Sequence, residues 1–593
     1  MHLNDTHSNL LPGKGRDENA KAHYGGIARA ASLIGAAKMQ DPETLLLHSG
    51  DFFIGDLMWY TSGYGALELG ILNELGLNAL TIGNHEFDGT SELLAGVLSY
   101  ASESFPNISF LSANIQPLDE KPYGMAIKSF IKDYIIKEVK GVKIGIFGMT
   151  SPVANLTSLP GPDCAVDDNI LMYAETIVGA LKAEGCDVII FLSHLGRPLD
   201  QYVASSVDGI HLIIGGHDHI STEEIINNTK IVQCQPFYHS VGSVNLIVDG
   251  ENVSINSMEI PLTSDIPEYE GVTMLLEGVL EELGEARALF EMPVAYATKF
   301  HTEYVATPME QGEWGTDVGC LIATAFKEWG NTDIGFTTSG LSAQPLYQGP
   351  IVPNDICRML GYGVNATTGV GYNMARFKLK GIDLWMGLQF CVSYVKENGD
   401  DEFLPQLGGS KIVYYTEKGT LLSVEINGQP IDFEKDYSLS TSLFVYELLS
   451  FVYDTLGYSE PPMFDVIIDN EISDFQVVLN YVISLQTLTP VDGCPRCITA
   501  PVQDNLSKFN AFNLTTYPNP TNGMLNIQSE EVLFGEVQIE IFNYLGNKVA
   551  EFTEFADNTN TISINLLGIA EGAYIIRLKN NSVKQSGKVI IGK

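Results

Sequence analysis

Short apolar runs alternate with amphipathic stretches over the first 265 or so residues of the chain. VKIGIFGMT (Val142–Thr150) and DVIIFLS (Asp187–Ser193) are continuous apolar runs bounded by polar turns, the pattern of strands buried on both faces. GGIARAASLIGAAK (Gly25–Lys38) and GALELGILNELG (Gly65–Gly76) carry apolar residues at helical spacing. Such alternation predicts crossover helices and a layered α/β domain. NLIVDGENVSINSMEIPL (Asn245–Leu262) reads as a closing hairpin turning at Asp249–Asn252. The regularly patterned Gly271–Phe290 reads as a helix spacing this domain from the next.

Beyond it the pattern changes twice. DVGCLIATAFKEW (Asp317–Trp329) is helical and ARFKLKG (Ala375–Gly381) strand-like, so a second domain of α+β type is expected. From Thr489 to Ala511 the chain is loop-like, with Pro490, Pro495 and Pro501. The last segment, Phe512 to Lys593, is a series of short strands (MLNIQS, EVQIEIFN, TISINL, AYIIRLKN, KVIIGK) between Asn/Gly turns, which predicts an all-β sandwich. The expected organisation is therefore residues 1–265, a linker helix 266–291, a second domain 292–488, a linker 489–511 and a β-sandwich 512–593.

Composition narrows the function. The formal charge is −40, from 73 acidic against 33 basic residues, which disfavours nucleic acid polymers and anionic membranes. An anionic small substrate then needs a local cation to hold it. No apolar run approaches the ~18–20 residues of a membrane span. Cys164, Cys186, Cys234, Cys320, Cys357 and Cys391 are scattered singly and read as free buried thiols. Cys494 and Cys497 form a CPRC pair without a second CxxC, so a local disulfide or two free thiols fits better than zinc. No basic start followed by an apolar segment opens the chain. Only Met1–Asn4 precede Asp5, scarcely a strand, so the natural N-terminus is expected to lie upstream.

Four apolar runs end in metal-type ligands: LLLHSGD at Asp51, ALTIGNHE at Asn84 and His85, IIFLSH at His194, and HLIIGGHDH at His217 and His219. NDTH, with Asp5 and His7, opens the chain. Residues two apart on extended backbone share a face, so Asp5 with His7, and His217 with His219, can each chelate. Open α/β sheets bind ligands at the carboxyl ends of their strands, where all five groups fall. Mixed nitrogen and oxygen donors without thiolate suit zinc, manganese or iron. His23, His48, His211, His239 and His301 lie outside this pattern and read as core or surface residues.

NDTH, GD, GNHEFD, SHLG and GGHDH, in this order, resemble the calcineurin-like metallophosphoesterases. With the second domain, residues 1–488 resemble the bacterial 5′-nucleotidase family. The resemblance implies two divalent ions, zinc or manganese. One would be held by Asp5, His7, Asp51 and His219, the other by Asp51, Asn84, His194 and His217. It also implies a catalytic dyad of His85 and Asp88, and hydrolysis of nucleoside 5′-monophosphates by in-line attack of a metal-activated water. FTTSGLSAQPLYQGPIVPNDICRMLGYGVN (Phe336–Asn365) follows the family's second domain in outline, but Ser342 stands where its substrate-gripping arginine is expected. FLPQLGG makes Phe403 a candidate for stacking on a base. The family's GGDG turn is replaced by YELLSF, leaving Phe451 as the nearest second aromatic. These departures leave open another ester (a 2′,3′-cyclic nucleotide, a sugar phosphate, a thiosulfate conjugate) or a non-catalytic surface binding protein.

YPNPTNGMLNI (Tyr517–Ile527), IFNYLGNKV (Ile541–Val549), GAYIIRL (Gly572–Leu578) and the final KVIIGK resemble the C-terminal sorting domain of the type IX secretion system. That resemblance implies passage through the periplasm, the secretion machinery as a partner, and a secreted or surface location.

Overall fold

A computed structural model describes the chain apart from residues 119–120, 159, 251, 304–311, 314–315, 366, 368, 399–400, 416–418, 491–494, 499–513, 519–520, 522, 544–547, 571, 581–583 and 592–593. It divides into two compact units. The first holds Met1–Lys299, Tyr347–Gly371 and Gln486–Leu488; the second holds Phe300–Leu346, Tyr372–Leu485 and Thr489–Lys593.

Two large sheets form the frame of the first unit. One runs in the order Asn252–Pro261, Ser240–Asp249, His2–Leu3, Leu46–His48, Leu77–Thr81, Ser109–Leu111, Ile131–Lys132. The other runs Thr222–Ile226, Thr229–Gln233, Leu212–Ile214, Val188–His194, Val142–Thr150, Tyr134–Val139. Leu47, Ala79 and Leu111 of one sheet pack with Ile146, Ile190, Leu192 and Ile214 of the other. The far face of the second sheet, with Phe147, Phe191 and Ile213, is covered by Ile177 and Leu181 of helix Ile170–Ala183 and Val203 of helix Arg197–Ser206. Burial on both faces explains why these strands read as unbroken apolar runs. The expected hairpin is present, Asp249 pairing with Asn252.

Central strands of both sheets are parallel, so their carboxyl ends share a rim. His2–Leu3 runs parallel to Leu46–His48, which runs parallel to Leu77–Thr81. Val188–His194 runs parallel to Val142–Thr150 and Leu212–Ile214. Two residues suffice for the first strand because both neighbours hold it, His2 pairing with Leu47 on one side and Gly242 on the other.

The patterned segment Gly271–Phe290 is not one helix. Helix Glu270–Glu282 buries Val272, Leu276 and Leu280; a 3-10 turn Gly284–Arg287 and a short helix Ala288–Glu291 follow. Gly284 takes φ +56, which stops the α-helix there.

Residues 347–371 pack with the first unit although they lie far along the chain. Helix Pro353–Leu360 is fastened to it by polar contacts. Asp56 accepts from Arg358 Nε and Asn354 Nδ2, while its other oxygen caps Met58 N. Arg16 forks onto both oxygens of Asp355 at 2.8 and 2.9 Å. Carboxylates with this many donors cross-link distant segments, and at the buried Asp56 leaving any one donor unmatched is costly.

The second unit carries a five-stranded sheet ordered Pro405–Gly408, Ile334–Thr338, Asp436–Ser442, Asn373–Lys380, Phe464–Ser473, with helices such as Asp317–Gly330 and Leu443–Thr455, an α+β arrangement. Its last strands, Leu514–Tyr517 to Lys584–Ile591, are antiparallel and enclose Leu525, Ile539, Ile541, Ile564, Ile576 and Val589, an all-β module. Cys320, expected as a free thiol, is disulfide-bonded. Cys164, Cys186, Cys234, Cys357 and Cys391 are free. Cys494 lies outside the described residues. Among the described residues no helix is long and apolar enough to cross a membrane.

Candidate metal centre

All seven candidate ligands stand on the common rim. Asp5 and His7 follow strand His2–Leu3, Asp51 follows Leu46–His48, and Asn84 follows Leu77–Thr81. His194 ends its own strand, and His217 and His219 follow Leu212–Ile214. Donor atoms of Asp5, His7, Asp51 and His219 lie within 4.8 Å of one another, and so do those of Asp51, His194 and His217. Asp51 belongs to both groups. Its Oδ2 is 2.9 Å from His194 Nε2 and 3.8 Å from His7 Nε2. Nε2 of His7 and Nε2 of His219 face each other at 3.1 Å, and Oδ1 of Asn84 is 3.2 Å from His194 Nε2.

The remaining hydrogen bonds leave the ligand atoms facing inward. Nδ1 of His7 lies 3.0 Å from the Phe53 carbonyl and Nδ1 of His194 lies 2.6 Å from the Ser49 carbonyl. A carbonyl can only accept, so each Nδ1 donates and each Nε2 is turned to the cluster. Asp5 Oδ1 accepts from His217 N, and Asp51 Oδ1 from His85 N. Backbone strain gathers here too: Asp5, His7, Asp51, His217 and His219 take φ of +46, +46, +55, +86 and +57, where side chains other than glycine are uncommon. A Cβ on Gly83 would stand 2.1 Å from Asp51 Oδ1, so only glycine admits the Asp51 carboxylate so close.

Electrostatics fit a cation. Burial pulls His217 and His219 down to about 3 and His7 well below the ordinary imidazole range, so these rings are neutral. Burial likewise raises Asp5 to about 7. His194 goes the other way, to about 10, because the adjacent Asp51 outweighs its desolvation. Asp51 Oδ2 is buried and accepts no hydrogen bond. With the neutral rings of His7, His217 and His219 gathered around it, that oxygen would serve a divalent ion as an anionic ligand.

His85 and Asp88 stand beside the cluster. His85 Nδ1 is 2.7 Å from Asp88 Oδ2, and the two side chains are 14% and 2% exposed. Burial alone would lower His85; the carboxylates of Asp88 and Asp51 outweigh it and lift it to about 9. Glu86, passed over in the sequence although it lies within GNHEFD, ties both ligand loops together. Its carboxylate accepts from the backbone N–H groups of Gly83, Asp51, Phe52 and Phe53. Behind NDTH, Glu68 accepts from Thr6, Ser8 and Tyr238. His48 and His211 are hydrogen-bonded within the fold, as expected of histidines outside the pattern. In the second unit, Phe403 is 5% exposed against Tyr394, Phe451 is 49% exposed on helix Leu443–Thr455, and Ser342 is buried with an unpaired Oγ.

Three families match the chain: the calcineurin-like phosphoesterases over residues 1–221, the 5′-nucleotidase C-terminal domain over 295–447, and the secretion system C-terminal sorting domain over 515–592. It is 26% identical over 492 residues to the trifunctional nucleotide phosphoesterase protein YfkN of Bacillus subtilis, covering 75% of this chain and 31% of that protein. It is 30% identical over 294 residues to the 5′-nucleotidase of Bos taurus, covering 45% of this chain and 50% of that one. The chain thus spans about a third to a half of these relatives' lengths. The 5′-nucleotidase precursor from Thermus thermophilus shares its fold, with a TM-score of 0.72 at 24% identity over 84% of this chain and 99% of that one. A sulfate thiohydrolase of the same organism superposes at TM-score 0.65 with 18% identity, over 81% and 84% of the two chains. A two-sheet frame with candidate ligands at its strand ends thus matches the calcineurin-like phosphoesterases, and is followed by segments that match the 5′-nucleotidase C-terminal domain and the secretion system C-terminal sorting domain.

Proposed function

We propose that the chain is an exported phosphomonoesterase with a dinuclear metal site, acting on nucleoside 5′-monophosphates. The observation that carries this reading is the pair of ligand clusters sharing Asp51, with the His85–Asp88 pair beside them. Asp5, His7, Asp51 and His219 would hold one ion, and Asp51, Asn84, His194 and His217 the other. When bound, two divalent cations supply Lewis-acid polarisation of phosphoryl oxygens and make a water acidic enough to attack. The protein's own contribution is orientation and proton placement. Asp88 takes the Nδ1 side of His85, which leaves Nε2–H to donate to an oxygen of the phosphoryl group or to the departing alkoxide. Glu86 and Glu68 hold the ligand loops so that the donor atoms need not reorganise on binding.

Export is supported by the match at residues 515–592 and by the disulfide at Cys320, a bond that persists in oxidising compartments. Phe451 offers an exposed face on which a base could stack, whereas Phe403 would first have to leave its packing on Tyr394. Ser342 stands where the family's arginine is expected and lacks the planar fork with which arginine grips phosphate. That substitution favours a second reading, the same site acting on a cyclic nucleotide, a sugar phosphate or a thiosulfate conjugate. The test is hydrolysis of AMP, a 2′,3′-cyclic nucleotide and p-nitrophenyl phosphate after loading with zinc or manganese. AMP should be hydrolysed fastest. Metal uptake with no hydrolysis of any ester would favour the binding-protein alternative.

A further inference from the structure

Asp218 stands between two of the candidate ligands, His217 and His219, yet its carboxylate is engaged elsewhere. It accepts from the backbone N–H of Arg197, the first residue of helix Arg197–Ser206. That helix opens on Gly196, which has no side chain to cap it, and is followed in its first turn by Pro198, which has no N–H. The cap is therefore brought in from 21 residues along the chain. Gly196 admits it: at φ +88, a Cβ there would stand 2.8 Å from Asp218 Oδ1 and 3.1 Å from Cδ2 of His217. A second tie runs beside the first. Arg197 Nε and Nη2 meet the two oxygens of Glu224 at 3.0 and 3.3 Å, and Gln201 Nε2 reaches the same carboxylate at 2.9 Å. Glu224 lies on strand Thr222–Ile226, shortly beyond His219. The same helix also holds the His194 strand, since the buried Asp200 accepts from Ser193 Oγ at 2.5 Å, one residue before His194.

We propose that Asp218 is a positioning residue for His217 and His219: by fastening the turn between them to helix Arg197–Ser206, it fixes where both rings stand relative to His194. The helix works as a rigid spacer. Asp200 ties it to the strand that ends in His194, and Asp218 ties it to the loop that carries His217. The rings of His194 and His217 are held with centroids 5.4 Å apart, and their donor atoms lie with one of Asp51 within 4.8 Å. His217 and His219 take φ of +86 and +57, so the turn is strained and persists because its surroundings hold it. The contact with Arg197 N supplies that hold without using a ring nitrogen of either histidine. Groups that orient metal ligands from outside the ligand set typically change affinity 10–100-fold when removed. This assignment rests on the proposed metal site for its effect on affinity, and on the fastening alone for its effect on geometry.

The test uses the full chain with Asp218→Ala, Asp218→Asn and Glu224→Ala, each stripped with chelator and titrated with zinc by calorimetry. Asp218→Ala should weaken zinc binding roughly 10-fold or more. Asp218→Asn should bind within about twofold of the parent, because its carbonyl oxygen still accepts from Arg197 N. Equal losses in these two variants would assign the effect to the missing charge and overturn the proposal, as would unchanged affinity in Asp218→Ala. Glu224→Ala loosens the start of the helix but leaves Asp218 in place, so its affinity should match the parent's; a loss equal to that of Asp218→Ala would reduce the effect to general loosening and refute the role. A crystal structure of metal-free Asp218→Ala gives a readout independent of binding. The ring of His217 or His219 should leave its place or take two orientations, and rings unmoved from their parent positions would refute the fastening. If the unsubstituted protein takes up no zinc, the proposed function fails, while the crystal comparison still decides the part played by Asp218.

Discussion

Asp51→Asn tests the shared carboxylate directly. The side chain is 1% exposed, with Oδ2 at 2.9 Å from His194 and 3.8 Å from His7, one member of each cluster. An ion present at ~100 times its Kd stabilises the folded form by about 2.7 kcal/mol, so two ions contribute roughly 5 kcal/mol. For a unit of this size each kcal/mol moves the melting temperature by about 2 °C, giving a rise of roughly 10 °C on loading. Removing the charge common to both clusters weakens both ions, so the rise in Asp51→Asn should shrink to about 2 °C or less. The quantity to compare is the difference between chelator-stripped and zinc- or manganese-loaded samples of the same variant. Taking out a buried carboxylate changes baseline stability by itself. Differential scanning calorimetry with metal content by mass spectrometry supplies both numbers. His7→Ala gives the contrast: His7 belongs to one cluster only, and about half of the rise should survive. An Asp51→Asn protein that still takes up two ions with the full thermal gain would refute the bridging arrangement.

Three other outcomes are expected. His85→Ala should lower turnover by roughly 10²–10⁴ while metal content stays near normal, because His85 stands beside the ligand set and outside it; unchanged turnover in a steady-state assay would remove it from the mechanism. Glu86→Gln puts an amide N–H₂ where the carboxylate accepts four backbone N–H groups, so folding stability should fall by about 2–3 kcal/mol and metal affinity with it, both measurable by denaturant titration. A fully stable Glu86→Gln protein would show that the ligand loops do not depend on that carboxylate. Asp474 in the second unit is raised from 3.8 to about 7 by burial, so the fold keeps a proton that the unfolded chain releases, and stability declines as pH rises between those values. Asp474→Asn, whose carbonyl can still accept from Tyr372 N and Phe475 N, should gain on the parent by up to ~4 kcal/mol from pH 4 to pH 7 and no further above it; a gap independent of pH would contradict the raised carboxyl.

Local spacing made much of the site legible. D-x-H in NDTH, GD after LLLHS and H-D-H after HLII each sit within a few residues of the strand that carries them, so type and placement are local facts. Less local features escaped. Cys320 reads as one more isolated thiol because nothing nearby in the sequence points to its bond. Glu86 shows its part only once the Asp51 loop is folded against it. The ring contact of Tyr362 with His85 has no local signal, since it depends on Asp56 and Arg16 holding a helix some 300 residues away. Phe403 stands out through a local match, but burial against Tyr394 is a property of the packed core.

The sequence by itself determined which donors exist, in what order, and that each would fall at a strand's carboxyl end, because apolar runs and ligand spacing are set within ten residues. Only the tertiary structure decided which donors meet, that Asp51 is common to both groups, and that Tyr362 lies on His85. Those relations depend on the parallel registers of His2–Leu3 with Leu46–His48 and of Val188–His194 with Val142–Thr150, pairings between segments tens of residues apart. A sheet aligns such segments by burying both faces at once, and no local pattern encodes that alignment.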